Sequence, residues 1–225
     1  MGNIVIVMGK SGTGKSTSLK NLDPKASYII NCLGKRLPFK GSSSIFSSEN
    51  KNLKYTTDYE KIIGLIESIS SKIPRIKNIV IDDATYIMRD EFFARAKEKN
   101  YDKFTELAQH MQQIIGAAKD ARADLNVFLL FHSEELFDSN NVVEYKVSTV
   151  GKMLDEKYNP IEVVPMVLYS SVKFNDKKQP EYGFYTHRTK EGNIVIPAKT
   201  PAGMFEEDFI PNDLNYVIKK MEEYY

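Results

Sequence analysis

The sequence predicts an α/β fold, in which helices flank a mainly parallel central sheet and antiparallel strands occupy the C-terminal half. Up to about residue 131, short apolar runs alternate with segments whose apolar residues recur at helical spacing. Beyond that point, strand-like segments follow one another with turn residues between them, which favours antiparallel pairing. We therefore expect one domain over residues 1–225, with a core over 1–135 and, over 136–225, an antiparallel extension that ends in a helix.

The composition is that of a globular protein without a strong overall charge. Of the 225 residues, 42% are hydrophobic and 27% are charged, and the formal net charge is +1. A net charge this small gives no basic field, so any contact with nucleic acid has to come from local patches. The single cysteine, Cys32, excludes an internal disulfide, and no apolar run approaches the roughly 20 residues that cross a membrane. We expect a cytoplasmic protein with no membrane partner.

The strands of the first half are predicted from apolar runs that suit a parallel sheet, because such a sheet is buried on both faces. These runs lie at 4–8, 27–31, 78–82 and 126–131. Helices, in which apolar residues share one face, are predicted at 15–22, 58–71 and 101–121. Asp58 is placed to cap the second helix, and Pro24 ends the first, since the residue before a proline avoids helical angles. The segment 34–50 is serine-rich and basic, with Lys35, Arg36 and Lys40, and it is predicted as a loop. This loop is expected either to be solvated or to have a function near the nucleotide or a strand of nucleic acid.

The second half is predicted to be built mainly from antiparallel strands. The strand-like segments lie at 142–147, 161–169, 181–187 and 193–197. Turn residues such as Asn175 and Gly192 separate them, and no helical pattern intervenes. Pro211 and Asn212 are predicted to open a last helix with an apolar face.

The segment after the first strand carries the complete phosphate-binding pattern G-x-x-x-x-G-K-[ST]. Its glycines permit backbone angles that point successive N–H groups at phosphate oxygens, and the next helix adds the positive end of its dipole. Lys15 is placed to meet the β- and γ-phosphates, and the Ser16 hydroxyl is placed to ligate Mg²⁺. The pattern predicts that a nucleoside triphosphate is bound by Gly9, Lys10, Ser11, Gly12, Thr13, Gly14, Lys15, Ser16 and Thr17.

Two adjacent aspartates, Asp82 and Asp83, end the apolar run that follows Asn78. A site for Mg²⁺ and a triphosphate needs a carboxylate at the carboxyl end of a strand beside the phosphate loop, and Asp82 fits that place. Asp82 is expected to hold the Mg²⁺ shell or to accept a hydrogen bond from Ser16. Asp83 is expected either to polarise the attacking water or to have a structural role only.

Four further residues are candidates for contact with the terminal phosphate. His132 follows four apolar residues, where its imidazole either senses the γ-phosphate or simply ends the strand. Arg188 and Lys190 lie on a predicted hairpin, from which a cation can stabilise charge on the γ-phosphate of a neighbouring subunit. Arg188 is the preferred donor and Lys199 the reserve, and the alternative is that these residues are solvated.

With these residues, the chain resembles the RecA-like P-loop ATPases of bacteriophages, a group that includes the single-strand annealing (Sak-type) ATPases. The resemblance rests on the phosphate loop, the strand 79–83, the strand that ends in His132, and the segment 200–205 with the terminal helix. It implies a RecA-like fold and an ATPase that uses ATP and Mg²⁺. It also implies action on single-stranded DNA in phage recombination or replication, as a ring or filament in the host cytoplasm. A phage recombination or single-strand-binding protein is a further expected partner.

One departure from the family pattern bears on catalysis. In RecA proper, a glutamate at the end of the second strand positions the attacking water, whereas Asn31 and Cys32 stand there in this chain. This departure implies either that hydrolysis is inefficient or that the base is Asp83. Single-stranded DNA is expected at the segments 34–50 and 138–157, whose basic residues and Tyr145 offer phosphate contacts and base stacking.

Two other functions stay open from the sequence. A small-molecule phosphotransferase, such as a nucleotide kinase, also begins with a strand, a phosphate loop and a helix. Kinases of that type usually add an arginine-rich lid, and the arginines of this chain are scattered without such a cluster. The second alternative is an ATP-dependent switch that binds a protein partner and no DNA.

Overall fold

The computed structural model describes residues 1–99, 102–139, 141–151 and 158–225. Its strands are β1 (Asn3–Gly9), β2 (Ser27–Asn31), β3 (Leu53–Tyr55), β4 (Asn78–Asp82), β5 (Asn126–Asp138), β6 (Asn141–Val147), β7 (Met166–Phe174), β8 (Pro180–Tyr185), β9 (Thr189–Glu191), β10 (Ile194–Ile196) and β11 (Phe209–Pro211). Its helices are a 3₁₀ helix (Ser16–Asn21), α1 (Ser42–Ile45), α2 (Tyr59–Lys72), α3 (Thr85–Ala94), α4 (Asp102–Asp120) and α5 (Leu214–Tyr224). Among the helices of this part of the chain, none is both long and apolar enough to cross a bilayer.

The central sheet has the strand order β3-β2-β4-β5-β1-β7-β8-β11. The six strands from β3 to β7 are parallel, whereas β8 and β11 extend the edge in antiparallel pairing. Strand β5 therefore separates β1, which leads into the phosphate loop, from β4, which ends in Asp82. The register aligns Gly9 with His132 and Asn31 with Asp82. The residues that end β1, β2 and β4 therefore lie at the same edge of the sheet as His132 of β5.

The core lies on both faces of this sheet, because alternate residues of a strand point to opposite sides. Ile4 and Ile6 of β1 face a cluster that includes the apolar stripes of α2 and α4. Val5 and Val7 face the other cluster, which contains Leu19 of the 3₁₀ helix and the apolar stripe of α5. The mixed α/β architecture with a mainly parallel sheet flanked by helices confirms the predicted fold class.

The N-terminal half departs from prediction mainly in detail. The segment predicted as a helix at 15–22 is a 3₁₀ helix, and it ends at Asn21, where Leu22 turns to extended angles ahead of Pro24. Asp58 caps α2 as predicted, because its side chain accepts from the N–H groups of Glu60 and Lys61. The segment 34–50 is not wholly irregular, since it contains α1. The short strand β3 and the helix α3 were not predicted, and the predicted helix start at Tyr101 lies outside the described residues.

The C-terminal half holds the larger corrections. The strand predicted at 126–131 continues to Asp138, and its second part pairs with β6 in an antiparallel hairpin. The strand predicted at 161–169 begins only at Met166, after Pro165. The last helix does not open at Pro211, which ends β11 instead; the helix follows Asp213, whose side chain caps it by accepting from the Asn215 N–H.

Candidate nucleotide-binding site

A cavity of about 520 Å³ lies at the carboxyl edge of the parallel strands. This is the place where ligands bind in open α/β sheets. The cavity is lined by Ser11, Gly12, Gly14, Lys15, Ser16, Thr17, Lys35, Arg36, Pro38, Asp82, Asp83, His132 and Tyr182. It brings together most of the phosphate-loop residues, both aspartates and His132, as the sequence predicted. It also includes Lys35, Arg36 and Pro38 of the loop 34–50, for which a place near the nucleotide was one of two expectations, and Tyr182, which was not predicted.

The phosphate loop depends on glycine at positions where a side chain does not fit. Gly14 has a φ of +96°, and a Cβ there would lie 2.2 Å from the Asn212 side-chain nitrogen. That nitrogen donates to the Gly14 carbonyl at 2.9 Å. A Cβ on Gly9 would lie 2.5 Å from the Ser170 carbonyl oxygen of β7. The loop is thus packed between β7 and the segment before α5, and sequence reasoning missed Asn212 as one of its contacts.

Lys15 is buried beneath the loop and bonds to the loop's own carbonyl groups. Its Nζ donates to the carbonyl oxygens of Gly9 and Lys10, each at 2.8 Å. Burial lowers the pKa of Lys15 to about 8, although the carboxylates of Asp83 and Asp82 act in the opposite direction. A phosphate oxygen is a stronger partner for this ammonium than a neutral carbonyl, so the side chain is placed to change partners when a polyphosphate enters.

Ser16 and Asp82 form the pair that suits a magnesium ion. The Ser16 hydroxyl donates to Asp82 Oδ1 at 2.8 Å, and Asp82 is only 4% exposed. Burial and the charge of Asp83 raise the pKa of Asp82 to about 7, although the hydrogen bond from Ser16 and the charge of Lys15 act in the opposite direction. Hydroxyl and carboxylate oxygens are ligands that Mg²⁺ accepts, and a cation would favour the ionised form of this buried acid. The residues present therefore fit the ion.

Asp83 has an unusual backbone conformation and a specific partner. Its φ is +59°, a region that residues other than glycine rarely adopt. Its Oδ1 lies 3.0 Å from His132 Nε2. Burial acts to raise the pKa of Asp83, but the hydrogen bond and charge of His132, together with Lys35 and Lys15, outweigh it and leave the pKa below its ordinary value. Asp83 is thus an ionised carboxylate that faces the cavity.

His132 is held by the strand and helix around it. Its backbone N–H donates to Thr85 Oγ1 at 2.9 Å, and its carbonyl accepts from the Ser148 N–H at 2.8 Å. Its ring packs edge-on against Tyr86, with centroids 6.0 Å apart. With Asp83 on one ring nitrogen, the imidazole has a fixed direction at the end of the cavity.

A second cavity, of about 670 Å³, adjoins the first and shares Ser11, Lys35 and His132 with it. Its other lining residues are Lys10, Tyr86, Arg89, Ser133, Glu134, Glu135 and Phe137. Lys10 forms an ion pair with Glu135 at 2.6 Å, which links the phosphate loop to the base of the β5–β6 hairpin. Phe137, near the tip of that hairpin, is 58% exposed.

The predicted cations of the C-terminal half do not line the phosphate cavity. Arg188 is bound to Glu144 of β6 at 3.0 Å, and these two residues line a separate cavity of about 700 Å³ together with Lys199. Lys190 lies on β9, opposite Val195 of β10. A contact of any of these cations with the phosphate of another subunit stays a prediction.

The residues expected to contact DNA in the segment 138–157 are only partly within the described part of the chain, and one of these expectations is wrong. Tyr145 is only 7% exposed and stacks on Tyr169 at 5.1 Å, so the prediction that it offers a face for base stacking is wrong. Lys146 pairs with Glu134 at 3.0 Å. Lys152 and Lys157 lie outside the described residues.

The residues that join the predicted ones at the cavity come from parts of the chain that only the fold brings together. Lys35 and Arg36 follow β2, at the same edge of the sheet as Asp82. The available signal was their position directly after a predicted parallel strand, where polar residues gather around a ligand. Tyr182 and Asn212 gave no comparable signal.

The sheet and the phosphate loop at its carboxyl edge define a P-loop nucleoside triphosphatase domain. A family model described as an AAA domain matches residues 1–200, and the chain belongs to this family. AAA domains are nucleotide-binding ATPase domains that generally hydrolyse ATP, typically with Mg²⁺. A search of curated proteins found no match to the chain.

Proposed function

We propose that this chain is a Mg²⁺-dependent ATPase and that Asp83 accepts a proton from the water that attacks the γ-phosphorus. The supporting observation is the ionised, His132-bound carboxylate of Asp83, which faces the same cavity as Lys15. As the oxygen of water bonds to phosphorus, the bond to the ADP oxygen breaks and the water proton passes to Asp83. Lys15 balances charge on the β- and γ-phosphates, and His132 directs the Asp83 carboxylate.

Ser16 and Asp82 are the residues that hold Mg²⁺ in this proposal. Their hydroxyl and carboxylate oxygens are in contact, and the buried Asp82 is the acid whose charge such an ion would balance. When bound, Mg²⁺ supplies positive charge that stabilises phosphate oxygens. Removal of divalent cations with EDTA is therefore expected to weaken ATP binding and to stop turnover.

We also propose that this ATPase acts with single-stranded DNA, in phage recombination or replication. The second cavity supports this, because it adjoins the phosphate site and carries exposed Phe137 beside the cations Arg89 and Lys35. An aromatic face with neighbouring cations suits a strand of unpaired bases and its phosphates. Because the net charge is only +1, the DNA-binding site of a single subunit is expected to be weak. We propose that a ring or filament of subunits aligns several such sites along one DNA strand.

The test is ATP turnover with and without single-stranded DNA at low salt, run beside a screen of phosphate acceptors. Lys15→Ala, in which the cation for the β- and γ-phosphates is absent, is the control for turnover by contaminants. Turnover that rises with DNA supports the proposal. Transfer of the γ-phosphate to a small acceptor would instead assign a phosphotransferase, because the second cavity can also receive an acceptor. Turnover that ignores DNA, with no DNA binding at low salt, favours the switch that binds a protein partner.

A further inference from the structure

Two cations of the turn after β2 line the phosphate cavity. Lys35 and Arg36 both line the cavity, and both are exposed. Among the described residues, neither side chain forms an ion pair or a hydrogen bond. Arg188 differs, because Glu144 already neutralises it and it lines another cavity.

The turn that carries these cations is fixed at both ends. The Asn31 side chain is buried and donates to the Lys35 carbonyl at 2.7 Å, and it accepts from the Gly34 N–H at 2.9 Å. Gly34 has a φ of +65°, which permits the tight turn. On the other side, Leu37 is buried and its carbonyl accepts from the Ser42 hydroxyl at 2.9 Å. The backbone of the two cations is therefore held in place, while their side chains stay available.

The location of Lys35 points to the end of the cavity where hydrolysis is proposed. Lys35 lines both the phosphate cavity and the second cavity, and it shares this double position with Ser11 and His132. Lys35 therefore lies where the phosphate cavity meets the second cavity, at the end that holds His132.

We propose that Lys35 and Arg36 bind the terminal phosphate of ATP within the subunit that carries Lys15. This inference rests on the proposed function and adds to it a cation source in cis. Charge that develops on the γ-phosphate during transfer is stabilised by a further cation beyond the phosphate-loop lysine. In this chain the turn after β2 supplies that positive charge. One subunit then holds all the cations that the γ-phosphate needs.

Nucleotide binding by Lys35→Ala/Arg36→Ala tests the contact with the terminal phosphate. The double variant is expected to bind a non-hydrolysable ATP analogue at least about tenfold more weakly, since a charged hydrogen bond is lost. Its affinity for ADP is expected to stay within about twofold of the wild-type value. Lys40→Ala is the matched control, because Lys40 is exposed on the same segment and does not line the cavity.

The binding data distinguish a failure of the terminal-phosphate contact from a failure of the proposed ATPase function. Unchanged affinity for the ATP analogue, or an equal loss for the analogue and ADP, overturns the assignment to the terminal phosphate. A wild-type protein that binds neither nucleotide overturns the proposed ATPase itself. Lys15→Ala is expected to lose both nucleotides, which separates a general loss of phosphate binding from a specific one.

Mixing two variants separates a cation in cis from a cation in trans. Lys15→Ala subunits are mixed with Lys35→Ala/Arg36→Ala subunits, and turnover is measured at the summed protein concentration. If the cations act within one subunit, every site in the mixture lacks one part, and turnover stays at the level of the separate variants. Recovered turnover in the mixture overturns the cis assignment. Slow turnover by Arg188→Ala that recovers when its subunits are mixed with Lys15→Ala subunits would place a required cation on the neighbouring subunit, and it would overturn the inference that one subunit supplies all the cations.

Discussion

At the scale of single residues, the two adjacent aspartates respond to burial in opposite ways. Asp82 is almost fully buried and its pKa is raised to about 7, whereas the partners of Asp83 hold its pKa below the ordinary value. An acid whose pKa is raised by folding binds more protons in the folded state than in the unfolded state. The free energy of unfolding of the protein therefore falls as the pH rises from about 4 towards 7. An acid whose folded pKa is lowered contributes stability at neutral pH instead.

The nucleotide-free protein in EDTA makes this difference measurable. Asp82→Asn is expected to unfold roughly 5–10 °C above the wild type at pH 8, because it removes about 2–4 kcal/mol of charge burial. The gap is expected to shrink towards pH 5, where Asp82 of the wild type is protonated. Asp83→Asn, the matched control, is expected to lower the unfolding temperature at pH 8. Equal shifts of the same sign in both variants would contradict the assigned roles.

Asp83 is also the residue on which hydrolysis depends in our proposal. Asp83→Asn is expected to bind ATP with near-wild-type affinity and to slow turnover by about 100-fold or more, since the amide accepts no proton. Asparagine tolerates a positive φ better than most residues, so the turn at 83 is expected to persist. Binding by calorimetry and single-turnover hydrolysis check both parts. Normal hydrolysis in this variant would mean that Asp83 has a structural role only and that another group activates the attacking water.

The residues of the site differ in how far the sequence reveals them. The phosphate-loop residues and Asp82 were predictable, because a contiguous pattern and a strand end fix their places. Lys35 and Arg36 were predicted only as part of a basic loop, either solvated or near the nucleotide, because it is the register of β2 against β4 that brings this loop to the cavity. Asn212 reaches the Gly14 carbonyl from 198 positions along the chain, and no local pattern encodes such a contact.

At the scale of elements, the long strand β5 shows where periodicity stops being informative. The buried apolar run ends at Phe131, and the strand then continues with half-buried and exposed residues. This second part is held by pairing with β6, with a register shift between Leu136 and Phe137. Backbone pairing needs no apolar pattern, so the sequence predicted two separate strands and missed the hairpin that starts at Ser133.

The phosphate loop as an element gives a sharper prediction. Gly14→Ala places a Cβ 2.2 Å from the Asn212 nitrogen at a φ of +96°. We expect it to cost about 2–4 kcal/mol of unfolding free energy and to abolish ATP binding. Gly64→Ala is the matched control: Gly64 lies in α2, and a Cβ there meets nothing within 4 Å. That variant is expected to gain about 0.5–1 kcal/mol, as measured by urea unfolding. Unimpaired ATP binding by Gly14→Ala would contradict the described packing of the loop.

At the scale of the whole molecule, the sequence predicted the parallel sheet but not its strand order. Right-handed crossovers to either neighbouring position have the same local pattern of strand and helix, so periodicity does not encode the order. The position of β5 between β1 and β4 decides the site, because it places His132 between the phosphate loop and the aspartates.

The last prediction concerns the expectation that residues 1–225 form one domain. Strand β1 lies between β5 of the N-terminal half and β7 of the C-terminal half, and the phosphate cavity is lined from Ser11 to Tyr182. Unfolding by calorimetry is therefore expected to show one transition. ATP with Mg²⁺ at about 100 times its dissociation constant adds about 2.7 kcal/mol, or roughly 5–10 °C for a chain of this length. EDTA is expected to reduce the shift, and Lys15→Ala to abolish it. Two transitions, of which ATP moves only the first, would mean that the antiparallel extension unfolds as a separate unit.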